Sequence, residues 1–123
     1  MKLRTLYLAP ARVTPGMLLA KAITDRDGHA LYFSRSQIPH PRNVPDDLVC
    51  YRHKGLYGFR RDFLFDFVAW PPSPLEMTES LEQLRALENG ARLRVVITSD
   101  ESPGVDTPEQ AHDVERLIRR ATE

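Results

Sequence analysis

Near the C-terminus, "PGVDTPEQAHDVERLIRR" sets a carboxylate, Asp106, directly before a helix start. Thr107 suits the cap, Pro108 the first helical position, and Gln110 the third residue of a capping box. Asp106 is not needed for that cap. A carboxylate is the hard oxygen ligand that magnesium takes. It also stabilises a helix N-terminus through the dipole, and the residues alone favour that second reading. Further up the chain, Arg35 in "YFSRSQIP" carries a planar fork that can pair with a carboxylate in two-pronged geometry. His53 and Tyr57, in "RHKGLYGFR", can each donate to hydroxyl or carboxylate oxygens. Glu82 and Gln83, in "LEQLR", add an acceptor and an amide. Each also has a plainer reading: a solvated strand-end arginine, a strand-edge histidine, a half-buried core tyrosine and an exposed polar helix face. There is no Ser/His/Asp grouping with a recognisable elbow, no CxxC and no complete Walker loop.

These residues need elements to hold them. "HALYFSR" (29–35) is aromatic and branched and follows the turn "DRDG", which predicts a strand ending at Arg35. "QIPHPRNVPDD" (37–47) carries three prolines and predicts a loop or edge excursion. "KGLYGFR" (54–60) predicts a second strand with Tyr57 and Phe59 on one face. "RDFLFDFVAW" (61–70) predicts a short buried helix, with a strand as the alternative. The clearest helix is "PPSPLEMTESLEQLRALENG" (71–90), with Ser73 as cap, Pro74 first, Glu76 completing a capping box and Asn89-Gly90 as a left-handed end. Its expected apolar stripe is Met77, Leu81, Leu84 and Leu87. Glu76, Glu79 and Gln83 fall on another side, with Glu82 at the border. "LRVVIT" (93–98) is β-branched and predicts an interior strand. The last helix should turn Ala111, Val114, Leu117, Ile118 and Ala121 to a core. Strands interleaved with helices imply an α/β layered fold.

Bulk properties narrow the class. The chain has 123 residues, enough for one small domain and one core. Seventeen basic and 17 acidic side chains give zero net charge, which argues against a nonspecific nucleic-acid binder. No apolar run approaches the roughly 20 residues of a membrane helix, and no signal peptide is visible, so a cytoplasmic protein is expected. One cysteine, Cys50, excludes an internal disulfide; it reads as a buried thiol without zinc spacing around it.

Four stretches in order, "DRDGHALYFSRSQIP", "RHKGLYGFRRDFL", "PSPLEMTESLEQLRALENG" and "PGVDTPEQAHDVERL", resemble the C-terminal half of the CMP-KDO synthetases, the 3-deoxy-manno-octulosonate (KDO) cytidylyltransferases. The resemblance runs from about Lys21 and implies a partial Rossmann-like nucleotidyltransferase fold with a mixed sheet and flanking helices. It divides the chain into an unassigned segment, 1–20, and half of a cytidylyltransferase-like domain, 21–123. It assigns Arg35, His53 and Tyr57 to the sugar acid, Glu82 and Gln83 to its hydroxyls, and Asp106 to magnesium. Lys21 falls in the family's register without a chemical role.

The N-terminal half of that family carries its Pro-Ala-Arg phosphate loop, cytosine pocket and another magnesium aspartate. "LYLAPARVTPGMLL" is only a faint echo of the loop, and "VTPGMLLAKAITDRDG" looks equally like a small β-segment found ahead of some phosphohydrolase domains. The expectation is therefore a truncated or divergent enzyme that transfers CMP from CTP to KDO for lipopolysaccharide synthesis, with another copy or chain supplying the nucleotide half. The alternative is a noncatalytic module that binds an acidic sugar or dimerises. A homodimer, or marginal stability as a monomer, is expected either way, because sheet edges would be left unpaired.

Overall fold

Asp25 begins the first tight turn by accepting the backbone N–H groups of Asp27 (2.9 Å) and His29 (2.8 Å) on one carboxylate oxygen. Gly28 supplies the left-handed backbone, at φ 78°, that lets the chain reverse. This turn joins β2 (Lys21–Thr24) to β3 (Ala30–Ser34) as an antiparallel pair. The computed structural model describes residues 4–11, 20–43, 50–99, 105 and 107–122, with residues 4–11 and Cys50 described in backbone only. The expected buried thiol of Cys50 and the loop-like "VTPG" segment thus lie outside the described side chains and residues.

The sheet has five strands in the order β3-β2-β4-β1-β5, with β1 at Arg4–Ala11, β4 at Cys50–Gly58 and β5 at Leu93–Ile97. β4 is antiparallel to both neighbours, and β1 runs parallel to β5, so the sheet is mixed. Residues 4–11, within the segment left unassigned by sequence, thus supply a strand between β4 and β5. β5, expected in the interior, is an end strand. Its far side is met by the β2–β3 turn, where His29 bridges to Arg94 and Val95 donates to the Gly28 carbonyl at 2.9 Å. That contact helps bury Leu93 and Val95 and explains why an end strand is so apolar.

α1 (Arg61–Ala69) buries Phe63 and Phe67, one turn apart, and leaves Leu64, Phe65 and Val68 exposed. The expected buried helix is therefore helical but buried on one stripe only. Its aromatics continue a row that starts on β4: Tyr57 stacks on Phe59 at 5.9 Å, Phe59 on Phe67 at 5.8 Å, and Phe63 meets Trp70 edge-on at 5.5 Å. Tyr57 and Phe59 do share a face, as the strand period requires.

The expected single helix over 71–90 is two short helices, α2 (Pro74–Glu79) and α3 (Gln83–Glu88). Between them Ser80 is left-handed, at φ 53° and ψ 48°. The break redistributes the stripe. Leu81 and Leu84 are buried, whereas Met77 is 64% exposed. Gln83, expected on the polar side, is buried. Glu76 does take the backbone N–H of Ser73 (3.0 Å), and Gly90, at φ 77°, ends α3 as the sequence predicts.

α4 (Pro108–Ala121) has the anticipated cap: Gln110 N–H donates to Thr107 Oγ1 at 3.3 Å, and Thr107 N–H to Gln110 Oε1 at 3.1 Å. Its stripe does not face a core. α4 buries no residue; Leu117 and Ile118 are exposed and Val114 is half-buried. An amphipathic pattern specifies a face, not the surface that covers it. No helix among the described residues is long and apolar enough to cross a membrane.

Candidate functional site

β4 and the α2–α3 corner line an open hollow of about 500 Å³, within the size range of small-molecule sites. β4 contributes His53, Gly55 and Tyr57; the corner contributes Glu76, Met77, Ser80, Glu82 and Gln83. Four of the five sugar-acid residues named from the sequence therefore converge: His53, Tyr57, Glu82 and Gln83.

His53 and Tyr57 reach the hollow from β4 because residues two apart share a face and four apart still do. The Tyr57 hydroxyl and His53 Nε2 are 2.6 Å apart and hydrogen-bonded. The Phe33 ring packs edge-on against His53 at 5.8 Å. Burial disfavours the charged ring and lowers the His53 pKa from 6.5 to about 4. Burial, with a smaller contribution from the Glu82 carboxylate, raises the Tyr57 pKa well above its usual value. Both are neutral at pH 7. The pair shares one hydrogen bond internally and keeps further donor and acceptor capacity for a ligand. Gly55, between them, has φ 70°; a Cβ there would lie 3.9 Å from His53 Cε1.

Gln83 is 4% exposed, and its Nε2 has no partner among the described residues. An amide buried without a partner costs about 1–3 kcal/mol, which a ligand oxygen would relieve. Glu82 beside it is exposed and offers a carboxylate at the mouth of the hollow. Behind Gln83 lies a small apolar annex lined by Phe59, Phe67, Ala86 and Leu93.

The sequence marks Glu76 only as a capping-box residue and does not single out Arg85. Arg85 Nε donates to Glu76 Oε2 at 2.8 Å, Nη2 completes a two-pronged pair on Oε1, and Nη1 reaches the Trp70 carbonyl at 3.2 Å. The guanidinium also lies over the Phe67 ring, 5.0 Å from its centre. The Arg85 hydrogen bonds, and after them the Ser73 N–H, hold the Glu76 carboxyl below the ordinary carboxylate range. This pair ties α2 to α3 across the corner. In the sequence Glu76 reads as a capping-box residue, and nothing links it to an arginine nine residues on.

Arg35, expected to grip the sugar carboxylate, does not line the hollow. Its Nε donates to the Glu79 carbonyl (2.9 Å) and its Nη2 to the Ser80 carbonyl (3.1 Å).

Asp106 lies outside the described residues; its neighbour Thr107 caps α4. Among the described residues, Asp25, Asp27 and His29 bring three potential metal-ligand atoms within 4.8 Å. This cluster does not fit magnesium. Arg92 Nη2 is 3.0 Å from His29 Nδ1, Arg94 donates to the Asp27 carbonyl, and Asp25 already accepts two backbone N–H groups. Backbone bonds, that from His29 first, lower the Asp25 pKa. The cluster staples the β2–β3 turn.

The mixed sheet flanked by short helices is a nucleotidyltransferase-type fold by its likeness to a solved structure, and residues 18–102 match the family described as "Cytidylyltransferase". The chain belongs to that family. Within it, the sequence is 50% identical to the 3-deoxy-manno-octulosonate cytidylyltransferase of Geobacter sulfurreducens, over 83% of this chain and 44% of that protein. It is 55% identical to the enzyme of the same name from Chlorobaculum parvum, over 82% of this chain and 41% of that protein. A solved structure of CMP:2-keto-3-deoxy-manno-octonic acid synthetase complexed with CTP superposes with a TM-score of 0.86 at 33% identity, over 96% of this chain and 49% of that one. The chain therefore spans less than half the length of these relatives.

Proposed function

We propose that this chain supplies the sugar-acid side of a KDO cytidylyltransferase. The observation that carries the reading is the convergence of His53, Tyr57, Glu82 and the unpartnered amide of Gln83 on one hollow. Hydroxyls of an octulosonic acid match these groups: Glu82 accepts, the Gln83 amide donates, and the His53–Tyr57 pair does either. In the reaction, the anomeric hydroxyl of KDO attacks the α-phosphorus of CTP, the bond to the β-phosphate oxygen breaks, pyrophosphate leaves with the bonding electrons, and the hydroxyl proton passes to solvent. A ring with a pKa near 4 is a weak base at neutral pH, so His53 orients the sugar instead of abstracting its proton. Asp106 is the residue that the resemblance implies would hold magnesium, which would supply neutralisation of the triphosphate charge. The setting is the cytoplasm and the product serves lipopolysaccharide synthesis.

Because the chain covers under half of its relatives, a second reading stands beside the first: a noncatalytic module that binds the sugar acid or dimerises. A homodimer fits the exposed α4 stripe of Leu117 and Ile118. One experiment separates the readings. The purified chain is mixed with CTP, KDO and magnesium, pyrophosphate is followed, and KDO binding is measured by calorimetry. Pyrophosphate release supports the enzyme. Binding without release supports the module. Neither release nor binding refutes the sugar-acid assignment of the hollow.

A further inference from the structure

Ser34 and Arg35, at the end of β3, enclose the side chain of Glu79. Ser34 Oγ donates to Glu79 Oε1 at 2.6 Å, and the Arg35 backbone N–H donates to Oε2 at 3.0 Å. The Ser34 hydrogen bond, followed by the Arg35 N–H, keeps the Glu79 carboxyl below the ordinary range. In return the Arg35 guanidinium takes the carbonyls of Glu79 and Ser80. Lys21, 3% exposed, fixes the other side of Arg35 by donating from Nζ to its carbonyl at 2.9 Å. A helix end leaves carbonyls without intrahelical partners, and an arginine from elsewhere in the fold fills that need here. Ser80 is then held left-handed, which a non-glycine residue adopts only where its surroundings over-determine it.

Immediately after Ser80 the chain forms the wall of the hollow, through Leu81, Glu82 and Gln83. Were α2 to continue, Gln83 would lie four residues after Glu79 on the same helix face. The reversal at Ser80 separates them: Glu79 turns to β3 and Gln83 turns inward. We propose that Arg35, with Glu79 and Ser34, is a positioning device that sets Glu82 and Gln83 through the Ser80 corner. The inference rests on reading the hollow as the sugar-acid site.

The test uses the full chain and two readouts, amide hydrogen exchange and KDO calorimetry. Arg35→Ala should speed exchange at Leu81 and Leu84 about tenfold, leave the β5 amides unchanged, and weaken KDO binding about tenfold. Ser80→Gly in that background should restore most of both, because glycine takes the left-handed corner without steric cost. Arg35→Lys, which keeps the charge and loses the fork, should behave nearly like Arg35→Ala. Unchanged exchange at Leu81 and Leu84 overturns the proposal. So does restored exchange with affinity still lost, which marks direct contact with the ligand. If the unaltered chain binds no KDO, the sugar-site reading fails and exchange alone decides the corner. If Arg35→Ala does not fold, Glu79→Gln, close in shape, is read by the same criteria.

Discussion

Replacing His53 by glutamine should change how stability depends on pH, and the size of the change can be worked from the structure. Burial against Phe33 and within the hollow lowers the His53 pKa from 6.5 to about 4. A histidine with a depressed folded-state pKa binds its proton more readily when unfolded. Its contribution is therefore fully present above pH 6.5 and is lost as pH falls toward 4. At about 1.4 kcal/mol per pH unit, the full loss is about 3 kcal/mol, of which about 2 kcal/mol has gone by pH 5. Glu76 and Glu79 also have depressed pKa values, so their contributions are lost mainly below pH 5. The assay is urea unfolding of both chains at pH 7 and pH 5. Every other titrating group is common to the two and cancels in the difference. The unaltered chain should lose about 2 kcal/mol more than His53→Gln between those values. A difference independent of pH would show that His53 is solvated and would refute the account of the hollow as a desolvated site.

Arg85→Ala removes the two-pronged partner of Glu76 and the clamp between α2 and α3; unfolding should show a loss of about 3 kcal/mol, with Glu76→Gln in the same background recovering part of it by removing the stranded charge. Gly55→Ala forces a side chain into a left-handed backbone beside His53; denaturant unfolding should show a loss of about 1 kcal/mol, and calorimetry a weaker KDO affinity.

Some of this was written plainly in one dimension. Sequence patterning places β4 at 54–60 although the strand runs Cys50–Gly58, but the Asp25–Gly28 turn, the β3 strand, the shared face of Tyr57 and Phe59, and the caps of α4 and α3 all depend on residues within a few positions of one another. Local patterning was enough for them. The family resemblance then carried His53, Tyr57, Glu82 and Gln83 to one site, and the fold brings these four to one hollow. What the sequence could not display is decided by partners distant along the chain. The helix expected over 71–90 is broken because Ser34 and Arg35, some 45 residues earlier, draw Glu79 away and fill the carbonyls at the break. Arg35 has the residue type suited to a carboxylate ligand, yet tertiary structure gives its guanidinium to backbone oxygens. Conversely, α4 shows a clear apolar stripe that the described residues do not cover. Periodicity fixes which side of a helix is apolar; only the assembled surfaces determine what meets it.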